Sequence, residues 1–293
     1  MTDQQAPPVV VDSHIHWWDP ANQWMLMATQ QQADELGMGE IGPMKRPYLP
    51  ADYRADSDAF RIEKVVWVMA TMSEAGHLAE VRWVRRAAAG EKLLGAAIGS
   101  VDPRLPARER GAVLAEQAGW ELLRGVRVIG ELDYGSSVAD EYMRMLAGHG
   151  LVYDHMGHHQ TMAAAARLAE RHPDVPWILE HCGWPQWPDD PEYVAAWREG
   201  IRALASVPTV HCKLSGLAMA THSFSARAQR PFIEHCLEQF GPARCMFGSN
   251  FPVDRLYGNF GDLLAMFLEL IAGLPEPERD QVLRSNAERV YRL

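Results

Sequence analysis

The sequence predicts an α/β fold, a single (β/α)8 TIM barrel over residues 1–293, and three observations predict it. Eight short apolar segments recur along the chain. Stretches of helix-favouring composition separate them. Polar, chemically capable residues gather at the ends of the apolar segments. Strands alternating with helices indicate a parallel sheet, and eight such units fit a closed barrel. An open doubly wound sheet is the rival. It would usually present a glycine-rich first turn, and Asp12-Ser13-His14-Ile15-His16 is not one. No internal repeat or low-complexity linker interrupts the chain, so one domain is the simplest account.

Val9, Val10 and Val11 open the first strand, because β-branched apolar residues fit a sheet covered on both faces. The strand runs into Asp12–His16. Side chains alternate, so His14 and His16 project to one side. Two such imidazoles can bind a divalent metal or polarise a carbonyl, and strand-end histidines also cap loops. A long irregular stretch follows, roughly 17 to 60, with Trp17, Trp18, Trp24, a Met-rich segment and Lys45-Arg46-Pro47-Tyr48-Leu49-Pro50. It reads as an active-site wall or as a packing excursion held by tryptophans.

From residue 64 the alternation is regular. Residues 64–70 form the second strand, and Ser73 can cap a helix that carries Leu78, Val81 and Val84 to Gly90. Strands three and four span 93–101 and 125–129, with helices at 106–121 and 138–147. Leu151 starts the fifth strand, which runs into Asp154, His155 and Met156. Alanine-rich residues 161–171 are helical and end at His172-Pro173. The sixth, seventh and eighth strands span 176–182, 209–214 and 244–249, with helices at 192–205 and 227–240. From Gly261 onward the pattern gives two or three more helices.

Composition narrows the function. The chain is 47% hydrophobic and 23% charged, which is ordinary globular usage. A net charge of -10 disfavours a nucleic-acid binder, which would show a basic face. Four cysteines without Cys-x-x-Cys spacing fit a reducing compartment. No apolar run approaches a membrane span, and residues 1–7 lack a basic, then apolar, leader. A cytoplasmic protein acting on a small molecule is expected. A monomer and a homo-oligomer are both open.

In a barrel, chemistry sits at the C-terminal strand ends. The first strand gives His14 and His16, and the fourth gives Arg127, with Arg124 at its entrance. The fifth gives Asp154 and His155, the sixth Glu180 and His181, the seventh His211 and Lys213, and the eighth Asn250 and Asp254. Alternation expects only one of Glu180 and His181 to face the lumen. A solvated-loop or hydrogen-bonded barrel-layer role is expected more of His211 and His222 than of His14, His16 and His181, and His155, His158 and His159 stay open, the last two as loop candidates.

The chain resembles the amidohydrolase-related TIM-barrel hydrolases that include sugar lactonases and pyrone dicarboxylate lactonases. The matching pieces are VDSHIHWWDP at 11–20, RPYLPADY at 46–53, LRGVR at 123–127, EHCGWP at 180–185, CKLSGL at 212–217 and MFGSNFPVD at 246–254. The terminal SNAERVYRL is similar to that family's last helix. The resemblance implies that His14, His16 and His181 contact a substrate carbonyl or one divalent metal ion, zinc or similar. Relatives also work without metal, so no cofactor is an equal alternative. It implies that Arg127 holds a substrate carboxylate, and it matches Lys213 to the motif lysine. The last motif ordinarily carries an aspartate as general base, where this chain has Asn250. Asn accepts no proton at neutral pH and is a weaker metal ligand. Asp254 is the favoured substitute, with Asp154, Glu180 or a metal as the others.

The expected activity is opening of a small lactone or related cyclic ester by water attack, with the histidines stabilising the oxyanion. Arg127, Arg124 and Lys213 would hold a carboxylated ring, walled by Trp17, Trp18 and Tyr48. The alternatives are a metal-dependent non-oxidative decarboxylase and a catalytically weakened binding protein.

Overall fold

The computed structural model of the chain describes residues 7–22, 29–35, 37–70, 76–128 and 132–293. Eight parallel strands follow one another around the sheet in chain order. They are β1 (Val9–Ile15), β2 (Arg61–Val68), β3 (Leu94–Gly99), β4 (Leu123–Arg127), β5 (Val152–His155), β6 (Trp177–Leu179), β7 (Val210–Leu214) and β8 (Cys245–Phe247). The expected (β/α)8 barrel is present. Several strands are shorter than expected, because pairing stops where the polar ends begin. Trp24 of the long stretch, the helix-cap candidate Ser73, and Ile129 of the fourth strand lie outside the described residues.

The connecting helices are α1 (Gln30–Glu35), α2 (Pro50–Ser57), α3 (Gly76–Ala87), α4 (Ala107–Ala118), α5 (Ser137–Gly148), α6 (His159–Arg171), α7 (Pro191–Ala205), α8 (Ala218–Thr221), α9 (Ala226–Phe240), α10 (Phe260–Ile271), α11 (Glu276–Asp280) and α12 (Asn286–Tyr291). Their starts follow capping chemistry. Ser136, Asp190, Ser225 and Asn259 each accept a backbone N–H of the first turn, satisfying donors that the helix leaves free. The stretch 17–60 is not wholly irregular, since it contains α1 and α2. In α2, Asp52 accepts the Leu49 N–H at 2.8 Å and Pro50 occupies the first turn.

Two features of the barrel position the site. The seam between β1 and β8 is closed by few ladder bonds and several substitutes. Asn250 N–H donates to the His14 carbonyl and His16 N–H to the Phe251 carbonyl, both at 2.8 Å. Ser13 Oγ donates to the Phe247 carbonyl at 2.6 Å, and the Asp12 carboxylate accepts the Ser249 N–H at 2.8 Å. The lower interior is an apolar plug. Val11, Val66, Ile98, Val152, Ile178 and Met246 pack there against Val290 and Tyr291 of α12. No helix among the described residues is long and apolar enough to cross a membrane.

Candidate active site

The site grows from the end of β1. Val11 packs into the interior plug, yet His14 and His16 also point to the centre. Strict alternation would not allow both parities. The register against β2 shifts between Asp12 and Ile15, and that irregularity turns the later residues inward. His14 Nε2 and His16 Nε2 stand 3.2 Å apart, and the His14 and His181 rings are 4.5 Å apart. All three histidines are buried.

The end of β6 departs from the sequence expectation. Alternation allowed one of Glu180 and His181 into the lumen, but both belong to the central cluster. The strand stops at Leu179, and the backbone then coils with φ of +54° at His181 and +53° at Cys182. That left-handed turn costs a non-glycine residue free energy and is common at functional sites. It folds His181 back beside Glu180. Gly216 of the CKLSGL motif lies against it. A Cβ at Gly216 would meet His181 Nδ1 at 2.3 Å, so the close approach requires glycine.

Four charged side chains surround the imidazoles. Arg127 Nε lies 3.1 Å from Glu180 Oε2, and Glu180 Oε1 lies 3.5 Å from His14 Nδ1. Lys213 donates to Asp154 and stands 3.3 Å from His14 Nδ1. Asp154 also accepts from the Tyr291 hydroxyl at 3.3 Å. Two cations thus face two carboxylates in a buried space, which offsets much of the cost of desolvating each.

The hydrogen bonds order the histidine protons. His16 Nδ1 donates to the Val68 carbonyl at 2.8 Å, leaving its Nε2 as acceptor. His14 Nε2–H then points at His16, and His14 Nδ1 accepts from Lys213. This assignment follows from the network. It requires neutral rings, and burial supplies the reason. Burial, with the nearby Lys213, His181 and His16, drives His14 well below the usual histidine range. Burial and Arg127 bring His16 down to about 3, and the same causes lower His181 far below its ordinary value. Glu180 moves the other way, up to about 6, because burial outweighs the pull of Arg127 and Lys213.

The remaining expected residues divide. Asn250, held at φ +57°, reaches the His16 ring with its side chain. Asp254 stands behind it, accepting the Asn250 amide N–H at 2.8 Å. Burial raises Asp254 to about 8, against the opposing pull of Asn250 and the Ala218 N–H. Asp254 also borders an apolar gap lined by Phe224, Ile233, Leu263 and Phe267, so it faces the outer helices as well. Trp18 stacks on His16 at 5.9 Å and pairs its backbone with Tyr48. Together with Met44, Arg46, Pro252 and Arg255 they line a cavity of about 280 Å³ beside the centre. Tyr48 spends its hydroxyl on Asp56 at 2.8 Å. Trp17 is core, fully buried, and accepts a hydrogen bond from Trp67 on its carbonyl. Arg124 is not brought to the cluster. It donates to the Glu121 carbonyl at the entrance of β4, near Arg292.

His155 is held by the Tyr134 hydroxyl at 2.8 Å among Tyr153 and Trp177, one residue out of phase with inward Asp154. His211 sits near Arg289 and Arg244, and His222 Nε2–H donates to the Gly37 carbonyl at 2.6 Å. His158 and His159 lie at the start of α6 against Trp184 and Tyr193.

His14, Glu180 and His181 form a group able to hold a metal ion, with donor atoms within 4.8 Å of one another. The donor chemistry fits a divalent cation. The rings are neutral, and Glu180 brings a buried carboxylate to the same space. Arg127 and Lys213 bring competing positive charge to the same place.

Residues 11–293 match the family model described as Amidohydrolase, Amidohydro_2. The chain belongs to this family of amidohydrolases. It is 31% identical to an L-fucono-1,5-lactonase of Burkholderia multivorans, over 97% of this chain and 96% of that one. A solved amidohydrolase structure from the same species, with bound HEPES, superposes with a TM-score of 0.82 at 26% identity, covering 98% of this chain and all of the other. A second structure, with bound zinc, gives 0.81 at 25% identity with 98% and 100% covered. The fold and the relatives support an enzyme of hydrolase type with a small-molecule substrate.

Proposed function

We propose that this barrel hydrolyses a small carboxylated lactone or related cyclic ester, giving the ring-opened hydroxy acid. The observation that carries the reading is Glu180. It is a carboxylate with its pKa raised to about 6, set among neutral imidazoles and beside Arg127. Such a group can accept a proton near neutral pH, which Asn250 cannot. Glu180 takes one proton from water as the oxygen attacks the carbonyl carbon. An imidazole N–H stabilises the oxyanion, while Arg127 holds the substrate's carboxylate. The ring C–O bond then breaks, and the departing oxygen takes the proton back from Glu180. Were His14, Glu180 and His181 instead to hold a divalent ion, zinc being the type bound by the solved relative, Glu180 would be a ligand and the ion would supply Lewis acidity to the carbonyl.

A panel of sugar-acid 1,5- and 1,4-lactones and pyrone carboxylates tests the reading, with acid release followed beside elemental analysis. Turnover of at least one lactone is expected. No turnover with or without added zinc, or carbon dioxide release from aromatic acids instead, overturns it. If exhaustive chelation abolishes turnover and zinc restores it, Glu180 acts as a ligand and not as the proton acceptor.

The Asn250–Asp254 pair gives a second expectation. Asp254 steadies Asn250 from behind and does not carry the water's proton in this reading. Asp254→Asn therefore reduces kcat by roughly tenfold or less, the worth of one buried hydrogen bond. Steady-state kinetics on the best lactone of the panel measures it, and a loss of about a thousandfold would return the base to Asp254.

A further inference from the structure

We propose that the chain carries a second metal site, a buried trithiol pocket for one soft monovalent d10 cation of the copper(I) type. Its ligands are Cys182, Cys212 and Cys236. Their three sulfurs lie within 4.8 Å of one another, and all three residues are fully buried. They arrive from three separate elements: the coil after β6, the outward side of β7, and α9. All four cysteines are free thiols, and the fourth, Cys245, turns its thiol toward the Cys236 carbonyl at 3.8 Å.

A thiol packs acceptably as a small apolar group, so burial alone would not make a site. Two features point further. Three residues far apart in sequence converge sulfur to sulfur, whereas apolar packing alone requires no such pairing. The Ser215 N–H also hydrogen-bonds the Cys182 sulfur, an arrangement that suits sulfur carrying negative charge.

The donor set selects the ion. Thiolates prefer soft cations, and a structural zinc ion ordinarily takes four ligands. Three sulfurs about 2.3 Å from a central ion in one plane stand about 4 Å apart, which matches this spacing. Cysteine binds a metal as its thiolate, so an ion taken up here displaces thiol protons, and binding involves no redox change.

The test uses the full chain, reduced and without oxygen, incubated with copper(I) held by a coloured bathocuproine-type chelator until uptake is constant. The expected result is one copper(I) withdrawn per chain with release of thiol protons. Cys236→Ala and Cys212→Ser should each weaken uptake at least tenfold, while circular dichroism and thermal unfolding report a retained fold. A wild-type chain that withdraws no copper overturns the proposal. So does a folded Cys236→Ala chain that binds as well as wild type, because the ion then sits elsewhere. If one variant fails to fold, the other decides.

Discussion

Glu180→Gln lowers kcat at least a hundredfold on any lactone the enzyme turns over, with KM changed far less. The amide keeps the shape of the carboxylate but cannot accept a proton, and general-base catalysis contributes about 100- to 10,000-fold. The wild-type pH profile should fall on its acid side near pH 6, where burial places Glu180. The direction under Arg127→Ala is fixed by sign. Arg127 pulls the Glu180 pKa down, so its removal leaves the carboxylate harder to ionise and moves the acid limb to higher pH. The same change should raise KM more for a carboxylated lactone than for a neutral one, since a guanidinium fork recognises carboxylate. An acid limb that stays in place in Arg127→Ala, or a Glu180→Gln enzyme of near-normal kcat, would show that another group takes the proton.

Lys213→Met is expected to destabilise the fold by about 3–5 kcal/mol, the usual cost of removing one partner of a buried ion pair. Lys213 and Asp154 are both fully buried, and their pairing lies at the centre of the barrel. Removing the lysine leaves the Asp154 carboxylate with the Tyr291 hydroxyl and beside Glu180, with no cation paired to it directly. It also withdraws the donor that sets the His14 proton, so activity should fall too. The double variant Lys213→Met, Asp154→Leu should recover much of the stability and none of the activity. Urea unfolding followed by tryptophan fluorescence measures both; a single variant as stable as wild type would mean the pair contributes nothing net.

The barrel and most of its strand ends were legible because apolar runs and their spacing are one-dimensional signals. That reading put His14, His16, Arg127, His181 and Lys213 at strand ends that the structure brings to one cluster. The misses have physical causes. Period-two reasoning admitted only one of Glu180 and His181, but the strand had already ended and a left-handed coil followed. Arg124 was drawn in by proximity in sequence, although it stands at the entrance end of β4 and away from the mouth. Asp254 is four residues past Asn250 and does reach it, as an acceptor behind the amide. The thiol cluster had no Cys-x-x-Cys spacing to announce it, because its members meet only once three elements are assembled. The helices α1 and α2 are short and start in a proline- and polar-rich stretch that carries little helical periodicity.

The β1–β8 seam has a consequence for biosynthesis. Its side-chain clasps join residues 234 and 237 positions apart. A nascent chain emerging in order therefore holds β1 with one unpaired edge until the region around Phe247–Phe251 leaves the ribosome. Contacts this distant in sequence are slow to form and leave hydrophobic strand edges exposed meanwhile. The histidine pair lies on that same late-closing edge. The proposed site is thus among the last parts to acquire its geometry, and release from a stalled ribosome before β8 should yield a chain with strands but no assembled site.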